Sequence, residues 1–150
     1  LGASQVLLLP VPNANPVVYA LFKANRPTKK PVRILWYGHY DVIDVSSTDS
    51  WSTEPFHLTA QNGYLYARGV SDNKGPLLAA MYAVAELFQK EELEADVLIL
   101  LEGEEESGSF GFQEVVQENR SLFGEIDWVF LSNSYWLDDT VPCLNYGLRG

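Results

Sequence analysis

Four short islands hold the residues that could do chemistry in this chain. They read G-H-Y-D-V at Gly38–Val42, G-V-S-D-N-K-G at Gly69–Gly75, E-G-E-E-E-S-G-S at Glu102–Ser109 and L-S-N-S-Y-W at Leu131–Trp136. The first three offer imidazole and carboxylate donors, the groups that bind divalent metal ions such as zinc and manganese. His39 and Asp41 stand two apart, so on an extended backbone their side chains face the same way. Asp41 would then accept a hydrogen bond from the His39 ring and fix its tautomer. In isolation such a pair is more often a structural one inside a core. Asp72 precedes a helix led by Pro76. Alone it reads as a cap or turn aspartate, and the functional alternative is a carboxylate bridging two metals. Glu104, Glu105 and Glu106 follow an apolar run, at a strand end rather than on a surface helix. Adjacent glutamates there can divide the work: one holds metal while the next takes a proton from water. Asn133 stands in the fourth island, where a carboxylate would complete the set.

The elements that must position these islands are legible from hydrophobic pattern. Val17–Phe22, Val32–Tyr37, Val97–Leu101 and Asp127–Leu131 read as strands, and Cys143–Tyr146 as the start of another. Val32–Tyr37 is nearly all apolar, as expected of a central strand covered on both faces. Phe56–Thr59 and Tyr64–Arg68 flank Gln61-Asn62-Gly63, a hairpin signal. Asp44–Pro55 is a polar loop. Pro76–Lys90 is a helix whose Leu77, Met81, Val84 and Phe88 form one core-facing stripe. Ser109–Asn119 is a shorter helix with Phe112, Val115 and Val116 inward. Alternating strands and helices imply an α/β sheet with helices packed on it. Ligands in such sheets gather at the carboxyl ends of strands. Islands one, three and four each follow a predicted strand, so they should meet at one edge.

Composition narrows the partners. The formal net charge of -10 comes with no basic stripe, which argues against nucleic acid. The 150 residues suffice for one domain with a core. The longest apolar-rich stretch, Leu77–Phe88, is interrupted by Glu86 and falls short of the roughly 20 apolar residues of a membrane span. A single cysteine, Cys143, permits no internal disulfide and favours a reducing, cytoplasmic setting. It reads as a small apolar residue. No G-x-S-x-G, P-loop or dinucleotide glycine fingerprint occurs. The chain begins with Leu1 and stops directly after a motif at Gly150, so it is expected to be a piece of a longer protein.

Taken in order, G-H-Y-D-V, W-S-T-E-P-F at Trp51–Phe56, G-Y-L-Y-A-R-G-V-S-D-N-K-G-P at Gly63–Pro76, E-G-E-E-E-S-G-S, S-N-S-Y-W and P-C-L-N-Y-G-L-R-G at Pro142–Gly150 resemble the carnosinase-like dipeptidases. These belong to the co-catalytic metallopeptidases that also include aminoacylase and carboxypeptidase G. The resemblance implies residues 1–150 are the N-terminal part of an α/β catalytic domain, a mixed sheet flanked by helices, cut at the start of a lid domain that often dimerises. It implies two zinc or manganese ions. His39 then looks like a ligand of one ion with Asp41 behind it, Asp72 like the bridging carboxylate, Glu105 like the general base and Glu106 like a ligand of the other ion. Glu104 falls at a variable position. The Asp72–Asn73 peptide bond is expected to be cis. His57 has a structural place, and two further histidines of the family lie beyond this chain, so the piece alone should be inactive.

One position departs. The family has S-D-N where this chain has Ser132-Asn133-Ser134, and a neutral amide is a weaker ligand than a carboxylate. The strings S-N-S-Y-W-L-D-D and G-V-S-D-N-K-G-P-L-L-A-A are similar to the peptidase-like subunits of the fungal glutathione-degrading complex. That similarity implies a glutamine-amidotransferase-like partner and a substrate in glutathione. Three functions stay open: a metallohydrolase subunit acting on glutathione or a related small peptide, a peptidase-shaped subunit that supports a partner's catalysis, and an ordinary di-metal dipeptidase.

Overall fold

The computed structural model describes residues 1–26 and 28–145. Its strands are β1 (Gln5–Leu9), β2 (Val17–Phe22), β3 (Val32–His39), β4 (Thr59–Gln61), β5 (Tyr64–Tyr66), β6 (Ala95–Glu102) and β7 (Trp128–Leu131). Its helices are α1 (Gly75–Gln89), α2 (Phe112–Glu118) and α3 (Arg120–Phe123). Five strands form one mixed sheet in the order β1-β2-β6-β3-β7. β1 with β2 and β2 with β6 are antiparallel, while β6 with β3 and β3 with β7 are parallel. The expected α/β class is therefore what the chain adopts.

Period-two alternation on β6 builds the core. Leu98 and Leu100 face one side with Tyr19, Leu21, Val115 of α2 and Phe123 of α3. Val97, Ile99 and Leu101 face the other with Leu77 and Val84 of α1. Each such buried aliphatic side chain contributes about 1.5–3 kcal/mol. The helical stripe Leu77, Met81, Val84 and Phe88 packs as its spacing predicts. Phe112 and Val116 likewise pack beside buried Val115.

Four points depart from the sequence reading. The strand covered on both faces is β6, not β3. β3 is an interior strand, fourth of the five, yet Val32 is exposed and Ile34 to Tyr37 are half-buried. α1 lies over β6 and leaves Ile34 and Trp36 lining an apolar groove of about 370 Å³ beside Val84 and Leu87. β1 was not anticipated, because Leu7-Leu8-Leu9 breaks strict alternation. Leu9 is buried while Val6 and Leu8 stay exposed on this edge strand. Cys143 to Asn145 form no strand, and Tyr146 lies outside the described residues. The hairpin forms but is shorter than predicted, closing on Asn62 and Gly63, both at positive φ (53° and 81°), the geometry its two-residue turn requires. No helix among the described residues is long and apolar enough to cross a membrane.

Candidate metal centre

The parallel register sets the site. His39 ends β3 opposite Glu102, which ends β6, and Tyr37 pairs with Leu131 at the end of β7. Islands one, three and four therefore leave the same edge, as the strand reading predicted. Island two reaches it through a wide turn at Val70–Lys74 that runs into α1. Within that turn the Asp72–Asn73 peptide bond is cis, as the resemblance implied. Gly38 lets the turn approach. A Cβ there would sit 2.6 Å from Asn73 Oδ1 and overlap the Leu77 side chain. Asn73, fully buried, donates its side-chain amide to the Ser132 carbonyl at 2.9 Å. The Trp36 indole N–H donates to Ser132 Oγ at 3.1 Å. The first bond ties the Asp72 turn, and the second ties β3, to the segment beyond β7.

His39 is 1% exposed and lies at the middle of the site. Its Nε2 is 2.8 Å from Asp72 Oδ1 and 4.0 Å from Glu105 Oε2. Its Nδ1 faces Asp41, 3.4 Å from Oδ1 and 3.3 Å from the backbone carbonyl. The expected bond to the Asp41 carboxylate is not formed: the ring nitrogen meets the Asp41 backbone carbonyl, and the carboxylate lies beside it beyond hydrogen-bond geometry. Burial disfavours the charged ring, but the hydrogen bond to Asp72 and the nearby Glu105 and Asp41 carboxylates outweigh it and raise the His39 pKa. Burial, then Glu106, Asp72 and Asp41, raise the Glu105 pKa against the opposing pull of His39. A raised pKa makes the Glu105 carboxylate a stronger proton acceptor.

His39, Asp72 and Glu106 each offer a donor atom, and these atoms all lie within 4.8 Å of one another. The donor set fits a divalent ion on two observations. It joins one imidazole nitrogen to two carboxylates, the mixture zinc and manganese accept. It also crowds carboxylates around a single buried ring, and Asp41 Oδ1 has no hydrogen-bond partner among the described residues. Asn133 follows β7 as a half-buried residue directly after the anchored Ser132. A cleft of about 310 Å³ opens beside Asp72 and Glu106, bounded by Trp51, Arg68 and Tyr135. The Arg68 guanidinium lies 5.2 Å over the Trp51 ring.

Glu104, which falls at a variable position of the motif, has a structural role. Its Oε1 accepts the Asn15 N–H at 2.9 Å and the Asn15 side-chain amide at 2.8 Å. Its Oε2 accepts Ser107 Oγ at 2.8 Å. Glu104 therefore clamps the Glu105–Ser107 turn to the Pro12–Pro16 loop. Gly103 permits this, since a Cβ there would lie 2.5 Å from the Tyr40 ring and 2.6 Å from Asn15 Cβ. Asn15 sits about ninety residues upstream with no motif around it, so only the folded chain brings it into view. On the far side, Asp41 Oδ2 accepts the Glu106 N–H at 2.9 Å.

Imidazole and carboxylates gathered at the carboxyl edge of a mixed sheet define an α/β domain with a candidate metal-ligand cluster. The chain belongs to Peptidase family M20/M25/M40, whose model matches residues 35–142. It is 53% identical over 99% of its length to "Probable di- and tripeptidase DUG2" of Saccharomyces cerevisiae, covering 18% of that protein. It is 42% identical over 94% of its length to the Cys-Gly metallodipeptidase DUG1 of Candida albicans, covering 30% of it. Among solved structures, an M20 family metallo-carboxypeptidase from Sulfolobus solfataricus superposes with a TM-score of 0.79 at 38% identity, over 91% of this chain and 30% of that one. The chain thus spans less than a third of the relatives it matches.

Proposed function

We propose that this chain is the N-terminal part of the catalytic domain of a metal-dependent peptidase acting on glutathione or a related small peptide in a reducing, cytoplasmic setting. The convergence of His39, Asp72 and Glu106 carries the reading. Kinship with a di- and tripeptidase and with Cys-Gly metallodipeptidases supports the substrate class. His39 and Glu106 would each hold one of two zinc or manganese ions, with Asp72 between them and Asn133 as a weak fourth donor. Bound there, such ions supply Lewis acidity toward a peptide carbonyl and toward water. Asp41 would hold the His39 ring so that Nε2, which now shares a proton with Asp72, could turn its lone pair to an ion once that proton leaves. Glu105 takes the proton from the attacking water as the new C–O bond forms. It delivers that proton to the amine as the C–N bond breaks.

A glutamine-amidotransferase-like subunit is the proposed partner, and the lid beyond this chain the proposed oligomer contact. Asn133 favours that arrangement over an ordinary di-metal dipeptidase, because the amide weakens the ion at His39 and shifts part of the work to a partner. The test is metal content and peptide hydrolysis by the intact protein, purified with and without that partner. Release of glutamate from glutathione, abolished by chelator and restored by zinc or manganese, is expected. Hydrolysis of Cys-Gly by the protein alone would favour the dipeptidase reading. Metal-loaded complex that cleaves neither peptide would refute both.

A further inference from the structure

Glu102 is the one acidic residue of its island without a role so far. It ends β6, is 2% exposed and stands opposite His39 in the parallel register. Its Oε1 accepts two hydrogen bonds, from the Tyr37 hydroxyl at 2.5 Å and from Ser109 Oγ at 3.0 Å. Its Oε2 has no hydrogen-bond partner among the described residues. It is not among the three clustered donors. A buried carboxylate is costly to keep unless its bonds fix something the fold needs.

What these bonds fix is the far end of the turn that carries Glu105 and Glu106. Glu104 O accepts the N–H groups of Ser107 at 3.2 Å and of Ser109 at 2.6 Å, so Ser109 closes the loop. The turn is fastened at three points: Glu104 to Asn15, Glu106 to Asp41, and Ser109 to Glu102. The first two bonds are exposed, while the third is partly buried and shielded from water. Tyr37 is itself held, its ring packed at 5.6 Å on Phe112 at the start of α2. Glu102 therefore links β3, β6 and α2 to the turn from beneath.

We propose that Glu102 is a positioning residue for Glu105, acting as a buried hydrogen-bond acceptor that holds Ser109 and so aims the base at the His39 side of the site. The inference rests on the reading of Glu105 as the base. Only the acceptor lone pairs of Oε1 matter to it, so an amide oxygen should serve in their place.

The experiment compares Glu102→Ala, Glu102→Gln and Glu105→Gln in the intact metal-loaded protein with its partner, using glutathione as substrate and elemental analysis for metal. Loosening the turn by a fraction of an ångström to one ångström should lower kcat of Glu102→Ala by about ten- to a hundredfold, with KM and metal content within about twofold of wild type. Glu102→Gln should recover most of that kcat. Equal loss in Glu102→Ala and Glu102→Gln would overturn the acceptor role, as would metal loss in Glu102→Ala or an unchanged kcat. An impaired Glu105→Gln beside a normal Glu102→Ala sinks this inference alone, whereas a fully active Glu105→Gln sinks the reading beneath it. Where Glu102→Ala does not accumulate, Ser109→Ala and Tyr37→Phe each remove one donor. Each should lower kcat at least severalfold, and normal turnover in both refutes the proposal.

Discussion

Replacing Gly38 by alanine isolates the contact on which the site's geometry depends. The new methyl would lie 2.6 Å from Asn73 Oδ1, about 0.8 Å inside the 3.4 Å at which ordinary contact begins, and would overlap Leu77. Neither neighbour has room to yield. Asn73 is fully buried and bonded to Ser132, and Leu77 is 4% exposed in the core beneath α1. The turn and the helix must therefore move together, carrying Asp72 away from His39 by a comparable distance. Overpacking of this kind costs about 1–3 kcal/mol, which in the larger intact protein lowers the melting temperature by a few degrees or less. A displacement approaching 1 Å at Asp72 should cost on the order of a hundredfold in turnover. Melting by differential scanning fluorimetry, metal content and glutathione hydrolysis of the intact protein check it. A Gly38→Ala protein with wild-type melting, metal and rate would show that the Asp72 turn is not braced against β3 as described.

Further outcomes follow from the same geometry. Asn133→Asp restores a carboxylate to the segment fixed by Ser132 and should raise metal occupancy in the intact protein, while equal metal by elemental analysis would refute it. Glu105→Gln should retain metal and lose on the order of a hundredfold or more in rate, since it removes the proposed base and none of the three clustered donors. Asp96 opposes Arg33 at 3.0 Å and accepts the Ala24 N–H at 3.0 Å. Burial raises its pKa, but the Ala24 and Arg33 bonds outweigh burial and hold it below the ordinary value. A depressed folded pKa means stability present above the unfolded value, near 4, and lost as pH falls through the folded one. Asp96→Asn should therefore flatten the fall in urea midpoint as pH drops below about 4, and an unchanged acid limb would count against the pair.

Much of the fold was readable because local pattern and tertiary role agree. The α1 stripe, the β6 run and the Asn62-Gly63 turn each obey a single periodicity or a single backbone requirement. β1 escaped because an edge strand with one buried face needs only Leu7 and Leu9 inward, and Leu8 between them hides the alternation. Coverage of β3 was misjudged because an apolar run declares that a strand is central but not how far the neighbouring helix reaches. At the site, His39, Asp72 and Glu106 were recoverable from motif order. Asn15 and Glu102 were not, because their importance lies in hydrogen bonds between segments that nothing in the sequence pairs.

The acidic island shows why those bonds matter. Glu102, Glu104, Glu105 and Glu106 fall within five positions, and four free carboxylates there would repel one another. The strand end and the following turn send them to different surroundings instead. Glu102 turns inward onto Tyr37 and Ser109, and Glu104 turns outward onto Asn15 and Ser107. Glu104 thereby meets fixed donors at both oxygens and Glu102 at Oε1, before any ligand arrives. The remaining two face His39 and Asp72, where the hydrogen bonds available to the ring are already directed at Asp41 and Asp72. The charge of Glu105 and Glu106 is thus left at a place where, among the described residues, a cation can gather donors from three islands. A cation there would relieve the repulsion that folding creates, so metal binding and closure of the turn should reinforce each other.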